Sequence, residues 1–399
     1  MSRSVDVLVV GAGIHGAGLA QAAAAAGHSV LVLEQSAIAA GSSSRSSKLV
    51  HGGLRYLESW QIRLVRESLH ERTLLLRLAP DLVRLQPFHI PVYGATRRRP
   101  WQLRLGLSMY ALLAGFGPGA RFSSLPRRAW AALDGLETRG LQRVFRYHDA
   151  QTDDAALTAA VLRSAQSLGA ELALPARFIA ADVHAQGVRV RYRPTDGMTD
   201  GPAGDEQEVE ARVLLNAAGP WAAQVAGAIR PALPVPALEL VQGSHLVLPA
   251  APQAGCYYLE SPRDGRAVFA LPWKGKLLAG TTEVPFRGDP AAVTPSASER
   301  NYLLGVLRHY FPALRSGGQG VVEAAFAGLR VLPRGSGHAF HRSRETLLDL
   351  QHAGRVLSVY GGKLTTWRAV AERALAHVAP ALPARAARAR TDELPLRPA

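Results

Sequence analysis

VDVLVVGAGIHG, residues 5–16, decides the fold. Val5 to Val10 is an apolar, β-branched run that reads as a strand, and it ends in glycines spaced as Gly11, Gly13 and Gly16. Ala17 to Ala26 follows as an alanine-rich helix and Ser29 to Leu33 as a second apolar strand, which makes a βαβ opening. Glycines between strand and helix permit a tight turn and let helix-end amides approach a pyrophosphate. Glu34 closes the second strand, where a carboxylate accepts hydrogen bonds from both ribose hydroxyls and repels a 2′-phosphate. Together these features read as a dinucleotide site and leave FAD and NAD both open.

A few residues on, GSSSRSSKLVHGGLRYLE (residues 41–58) combines five serines with Arg45, Lys48, His51 and Arg55. That is too many donors for an ordinary connection and too few apolar residues for a core strand. Ser42 to Leu49 would form a second cradle, of the kind a dinucleotide with a bulky isoalloxazine needs. GGKLTT, residues 361–366, repeats the pattern of strand, glycine turn and helix start. Its helix N-terminus suits stabilisation of an anionic reduced ring.

The 399 residues, 48% of them hydrophobic, suffice for a large core and suggest two domains. Cys256 is the only cysteine, which excludes an internal disulfide and fits a reducing compartment. The first strand begins too early to leave room for a signal peptide, and no run reaches the ~20 apolar residues of a transmembrane span. A cytoplasmic location follows as the expectation. A net charge of +15 suits an anionic partner. Nucleic acid is not expected, since no stacking motif or known module accompanies the charge, and no metal site is expected either. Lysine occurs only at positions 48, 274, 276 and 363, so the two inside polar motifs point to a need for a compact ammonium.

Along the chain, Ile62 to Leu78 has helical spacing and stops at Pro80. Thr152 to Leu168 reads as a helix with Asp153 and Asp154 at its N-terminus. Strands are expected at Leu172 to Leu174, Arg177 to Asp182, Val188 to Tyr192 and Val209 to Asn216, with a polar hairpin tip from Asp196 to Glu208. Leu238 to Leu248, Ala267 to Pro272, Leu277 to Gly280 and Val321 to Ala327 alternate as in an antiparallel sheet, and Val356 to Tyr360 returns as a central strand before a helix to about Val378. The fold class is therefore α/β (α+β overall), a Rossmann-like nucleotide domain interleaved with an antiparallel-sheet substrate domain. The division is 1–81, 150–222 and 345–390 against 82–149 and 223–344. Arg97-Arg98-Arg99-Pro100-Trp101 and the apolar stretch to Phe116, interrupted by Arg104, resemble an interfacial helix that would touch an anionic membrane surface peripherally, with a core helix carrying a basic cap as the alternative.

These stretches, with NAAGPW (216–221), QGSHLVLP (242–249), PW at Pro272, GTT at Gly280, GLR (328–330) and YGGKLTTWR (360–368), resemble FAD-dependent glycerol-3-phosphate dehydrogenase in order over nearly the whole chain. The family belongs to the D-amino-acid-oxidase-like flavoproteins. The resemblance implies oxidation of glycerol 3-phosphate to dihydroxyacetone phosphate, hydride transfer to flavin N5, and electrons passed to quinone; an oxygen-using oxidase, a relative acting on 2-hydroxy acids or amines, and a non-catalytic flavin protein stay open. It also leaves open a homodimer. FAD would be held by Gly11, Gly13, Ile14, His15, Gly16, Glu34 and Gln35, then by Ser42, Ser43, Ser44, Ser47, Lys48, Leu49, His51 and Gly52. Phe178, Ala218, Gly219 and Trp221 would join them, with Gly361, Gly362, Lys363, Leu364 and Thr365.

Arg55, Tyr56, Thr282, Arg330 and Arg344 would bind substrate, with forked guanidiniums matched to a phosphate. His245 is the first choice as base, a histidine being suited to general-base work, with Lys363 as the alternative or as a partner of the developing alkoxide. Arg330 is expected to clamp the phosphate. Glu283 stands where the family usually has Asp, and Val331 where it has Pro. The family continues into a C-terminal helical domain that this chain is expected to lack, residues 391–399 reading as a remnant of the linker.

Overall fold

A computed structural model describes residues 3–115, 119–195, 204–232, 234–249, 251–316, 321–334 and 345–398. The chain runs β1 (Arg3–Val10), α1 (Ile14–Ala25), β2 (Val30–Leu33), β3 (Leu49–Val50), α2 (Ile62–Leu78), β4 (Val83–Tyr93) and α3 (Pro100–Leu113). Next come β5 (Ser123–Ser124), β6 (Leu141–Thr152), α4 (Asp154–Ser167), β7 (Glu171–Ala173), β8 (Ala176–His184), β9 (Gly187–Pro194) and β10 (Gln207–Asn216). Then follow α5 (Ala222–Gly227), β11 (Ile229–Arg230), β12 (Leu238–Leu248), β13 (Cys256–Glu260), β14 (Ala267–Trp273), β15 (Lys276–Gly280) and β16 (Val284–Phe286). Finally α6 (Ala297–Tyr310), β17 (Ala324–Pro333), β18 (Leu347–Gln351), β19 (Val356–Tyr360) and α7 (Trp367–Val378) complete the order.

Two sheets organise these elements. In the first, β7, β2, β1, β10 and β19 run parallel. Strand β10 forks: residues 207–211 pair antiparallel with β9, whereas 214–216 pair with β19. Side-chain alternation divides the work of the central strands. Val7 and Val9 face a cluster built with α1, α4 and α7, while Leu8 and Val10 face the β8–β9 hairpin through Val188, Val190 and Tyr192. The second sheet is almost wholly antiparallel. Its strand β12 carries β17 along one edge and β16 then β15 along the other, and β14, β13, β4 and β6 extend it.

The expected bounds of the helix at Ile62–Leu78 and the strands at Leu238–Leu248 and Val356–Tyr360 match the structure. Others moved. The strand expected over Val321–Ala327 lies at Ala324–Pro333, because it pairs with β12 from Val247 back to Leu238. Strand β13 and helix α6 were not anticipated. The latter has a plain start signal, a capping box in which Ser296 and Glu299 satisfy each other's backbone amides. Residues 196–203 of the expected hairpin tip, and Phe116, lie outside the described residues. The tail does not project as a bare linker: Leu396 is 2% exposed and its amide donates to Leu78 O at 2.7 Å.

Helix α1 is buried almost all round, which its alanines and glycines permit. A Cβ on Gly18 would come within 2.5 Å of the Trp367 ring on α7. Gly18→Val is therefore expected to cost about 1–3 kcal/mol through overpacking. Thermal unfolding followed by circular dichroism checks this, and an unchanged midpoint would show that α1 and α7 are not in obligatory contact.

Candidate active site

Strand β1 delivers Gly11 to the turn at φ +100°, where a Cβ would lie 2.8 Å from Ala217 O. A Cβ on Gly16 would be 1.8 Å from Gly11 O, so Gly16 is needed beneath the turn rather than on its surface. Ser43 Oγ accepts from the Ile14 amide at 2.9 Å and thus ties the serine stretch to the start of α1. At the end of β2, Glu34 accepts from the Ala12 and Ser36 amides, both at 2.9 Å, which pins its carboxylate beside the glycine turn.

From this turn a cavity of about 770 Å³ runs to the face of the second sheet. One end is lined by Gly11, Gly13, Ile14, His15, Glu34 and Gln35, and the middle by Ser42, Ser43, Ser47, Leu49 and Phe178. Ala218, Gly219 and Trp221 close one wall, and Gly361, Gly362, Leu364 and Thr365 another. His51, Arg55, Tyr56, His245, Arg330 and Lys363 meet at the far end. Sequence stretches more than 300 residues apart are thereby brought to one space.

Several expected residues stand behind that wall instead. Ser44 Oγ donates to Gly41 O. Lys48 is buried with its Nζ donating to Ser44 O at 2.5 Å and paired with Asp154 Oδ1 at 2.7 Å, between the rings of Trp273 and Phe326. Gly52 donates its amide to Asp149, and a Cβ there would strike Leu69 and Tyr110 at 2.4 Å. Thr282 serves the second sheet: its Oγ1 donates to Glu299 at 2.6 Å and accepts from the Ser244 amide at 2.8 Å. Arg344 lies outside the described residues. Asp154, Glu299 and Arg266 support the site from behind and Asp149 joins its lining; Asp154 belongs to the Asp153-Asp154 pair after Tyr147, one of the motifs shared with the family, whereas the others carried no functional signal in the sequence beyond the capping box at Glu299.

The far end is cationic around neutral histidines. His245 Nε2 sits 2.9 Å from Ser47 Oγ, and its ring stacks on Phe326 with centroids 4.9 Å apart. Burial, then Arg330 and Lys48, hold its pKa down at about 3. His51 is likewise lowered to about 3 by burial, Lys363, Arg55 and Arg72. Both rings can accept a proton when an anion offsets that field. Lys363 Nζ lies 4.1 Å over the Tyr56 ring, which the Arg55 guanidinium also approaches at 5.1 Å and on which His51 stacks. Arg55 and Arg330 each approach Glu283 at 3.7 Å.

This cavity fits FAD. A glycine cradle that no Cβ could enter and an acid for the ribose stand at one end, serine hydroxyls line the middle, and a cationic cluster can hold an electron-rich ring at the other. Its volume is in the range of cofactor sites.

Four histidines, His89 and His245 buried and His15 and His51 half-buried at the cavity, share one consequence. His15 and His89 are lowered to about 4, and His51 and His245 to about 3. Below the unfolded-state value of about 6.5 the unfolded chain takes up protons that the folded chain refuses, so stability falls as pH drops. Each group contributes a slope of up to about 1.4 kcal/mol per pH unit between about 6.5 and its folded value. Thermal midpoints measured from pH 7 to 4 are expected to fall steadily, and less steeply in His15→Asn; equal slopes would remove His15 from this account.

Comparison with known proteins agrees with the geometry. The profile of the family described as FAD dependent oxidoreductase matches residues 6–368. A glycerol-3-phosphate dehydrogenase of Pseudomonas tolaasii is 36% identical over 388 residues, 95% of this chain and 72% of that protein. A D-erythritol 1-phosphate dehydrogenase of Brucella abortus (strain 2308) is 36% identical over 382 residues, 94% of this chain and 73% of that one. Among solved structures, the glycerol-3-phosphate dehydrogenase from Bacillus halodurans complexed with FAD superposes with a TM-score of 0.75 at 26% identity, covering 98% of this chain and 68% of the other. With a cavity shaped for that cofactor and a family match across its sheets, the chain belongs to the FAD dependent oxidoreductases.

Proposed function

We propose that this protein oxidises glycerol 3-phosphate to dihydroxyacetone phosphate. The observation that carries the reading is that Arg55 and Arg330, which line the cavity together with neutral His245, meet on one buried carboxylate. FAD, when bound, supplies a two-electron acceptor at N5 for the hydride of the substrate's carbinol carbon. The protein's own share is binding and proton transfer. Arg55 and Arg330 present forked N–H groups to the phosphate dianion, a task for which a single carboxylate substrate would need fewer. Burial is the main cause that depresses His245, with the Arg330 and Lys48 charges adding to it; the bound dianion offsets those charges and so raises its basicity when the substrate hydroxyl must lose its proton. Lys363 supports the developing alkoxide. On this reading residues 1–81, 150–222 and 345–390 serve the cofactor and 82–149 and 223–344 the substrate.

Anaerobic mixing with glycerol 3-phosphate is expected to bleach the flavin, and unphosphorylated glycerol is not. In His245→Ala the bleaching should slow by roughly 10²–10⁴-fold. Absence of bleaching in the wild type would reject the substrate, and an unslowed variant would remove His245 as base.

We further propose that electrons pass to quinone at a membrane surface. The support is helix α3, where Trp101, Leu105 and Leu112 are exposed along one stripe, Trp101 by 66%, beside the exposed Arg99 and Arg104. Residues 54–59 pack against α3 and lead into Trp60, itself 75% exposed. Among the described residues no helix is long and apolar enough to cross a membrane, so the contact would be interfacial. Liposomes containing anionic lipid should pellet the protein at low salt, and Trp101→Ala together with Leu105→Ala should weaken it; a protein that stays in the supernatant refutes the docking.

A further inference from the structure

We infer that Glu283, braced by Arg266, is a positioning residue that sets the spread of the two guanidiniums directed at the substrate's phosphate. The inference rests on the phosphorylated-polyol reading of the site. Glu283 follows β15, and its side chain is only 2% exposed. Its Oε1 stands 3.7 Å from Arg55 and 3.7 Å from Arg330, while Oε2 is 3.2 Å from Arg266. Arg266 also donates to the Glu283 carbonyl oxygen at 3.4 Å, so it holds the acid by main chain and side chain together.

Geometry around Arg330 extends the same device. Its guanidinium donates to Thr281 Oγ1 at 3.2 Å and to Thr282 O at 3.4 Å, so residues 281–283 form a rail beneath it. The rail is fixed from behind through the bonds of Thr282 to Glu299 and to the Ser244 amide on β12. Two like charges facing one cavity repel each other, and a shared anion in contact with both opposes their separation. At 3.7 Å these contacts are ion pairs rather than hydrogen bonds, so Glu283 acts on the arginines by charge and does not fix the direction of their N–H groups. Arg266 and Glu283 are both absent from the cavity lining, so they act through Arg55 and Arg330, which do line it.

The test uses the FAD-loaded full chain with glycerol 3-phosphate as substrate and inorganic phosphate as competing ligand. Glu283→Gln keeps the reach of the side chain and removes the charge, so that nothing opposes the separation of the two guanidiniums. KM for glycerol 3-phosphate and the inhibition constant of inorganic phosphate are expected to rise together by about tenfold or more, the range for a lost contact to a charged group. The maximal rate should stay near wild type, the mark of lost binding common to ground and transition states. Arg266→Gln should reproduce this, Arg266→Lys should largely restore it, and the double variant should be no worse than either single one, as for coupled residues. FAD content and thermal midpoint guard against a general loss of structure, and Arg266→Gln carries the test should Glu283→Gln fail to retain FAD. Unchanged KM and phosphate inhibition in both variants would overturn the inference, as would a lowered maximal rate at unchanged KM. A wild type that neither bleaches with glycerol 3-phosphate nor binds phosphate refutes the functional reading itself, whereas an active wild type with equally active variants refutes only the role of Glu283.

Discussion

Two buried carboxylates, Asp149 at the end of β6 and Asp154 at the start of α4, suspend the segment on which the rest of the site depends. Asp154 accepts from the Ser46 amide and hydroxyl and from Lys48; Asp149 accepts from the Gly52 amide, Arg72 and Tyr110. Burial raises the pKa of Asp149, and the hydrogen bonds and the Arg72 charge oppose that shift. Removing one partner of such a buried pair leaves an uncompensated charge, which costs far more than the pair itself contributes. Since β6 belongs to the second sheet and α4 packs against the first, the same short stretch fixes residues 46–52 relative to both.

The serine-rich segment shows where sequence reasoning succeeds and where it stops. Its composition announced a bound anion, and its position after a βαβ unit tied that anion to a dinucleotide. What composition cannot give is direction. Ser43 and Ser47 face the cavity, whereas Ser44 and Lys48 turn inward because an irregular backbone, with Lys48 at φ +60°, has no period from which orientation follows. Thr282 was misread for a related reason: a motif names a stretch, and the partners of each side chain come from elements far away in sequence, here Glu299 on α6. Long periodic elements such as α2 and β12 were legible to the residue because their burial pattern repeats.

Arginine abundance made the site harder to read. With so many guanidiniums in the chain, no single one stands out, and what distinguishes Arg55 and Arg330 is a common acid rather than their own sequence context. A second buried pair, Arg368 with Glu71, illustrates the contrast. It joins α7 to α2, takes in Thr391 of the tail, and contributes no lining to the cavity. The tail beyond Val378 continues that structural theme, with Arg385 paired to Asp6 and Leu396 in the core of the first sheet.

The contact between Gly18 and Trp367 joins helix α1 to the first residue of helix α7, and Gly362, just ahead of α7, lies against His15 at the start of α1. Helix α1 starts at the glycine turn beside Glu34; α7 starts just after Lys363 and Thr365. Because an indole ring lies where a side chain on α1 would be, the two helices pack with no room for a side chain between them. Two positive helix ends therefore stand close together beside one cavity, which favours a ligand that carries negative charge near both.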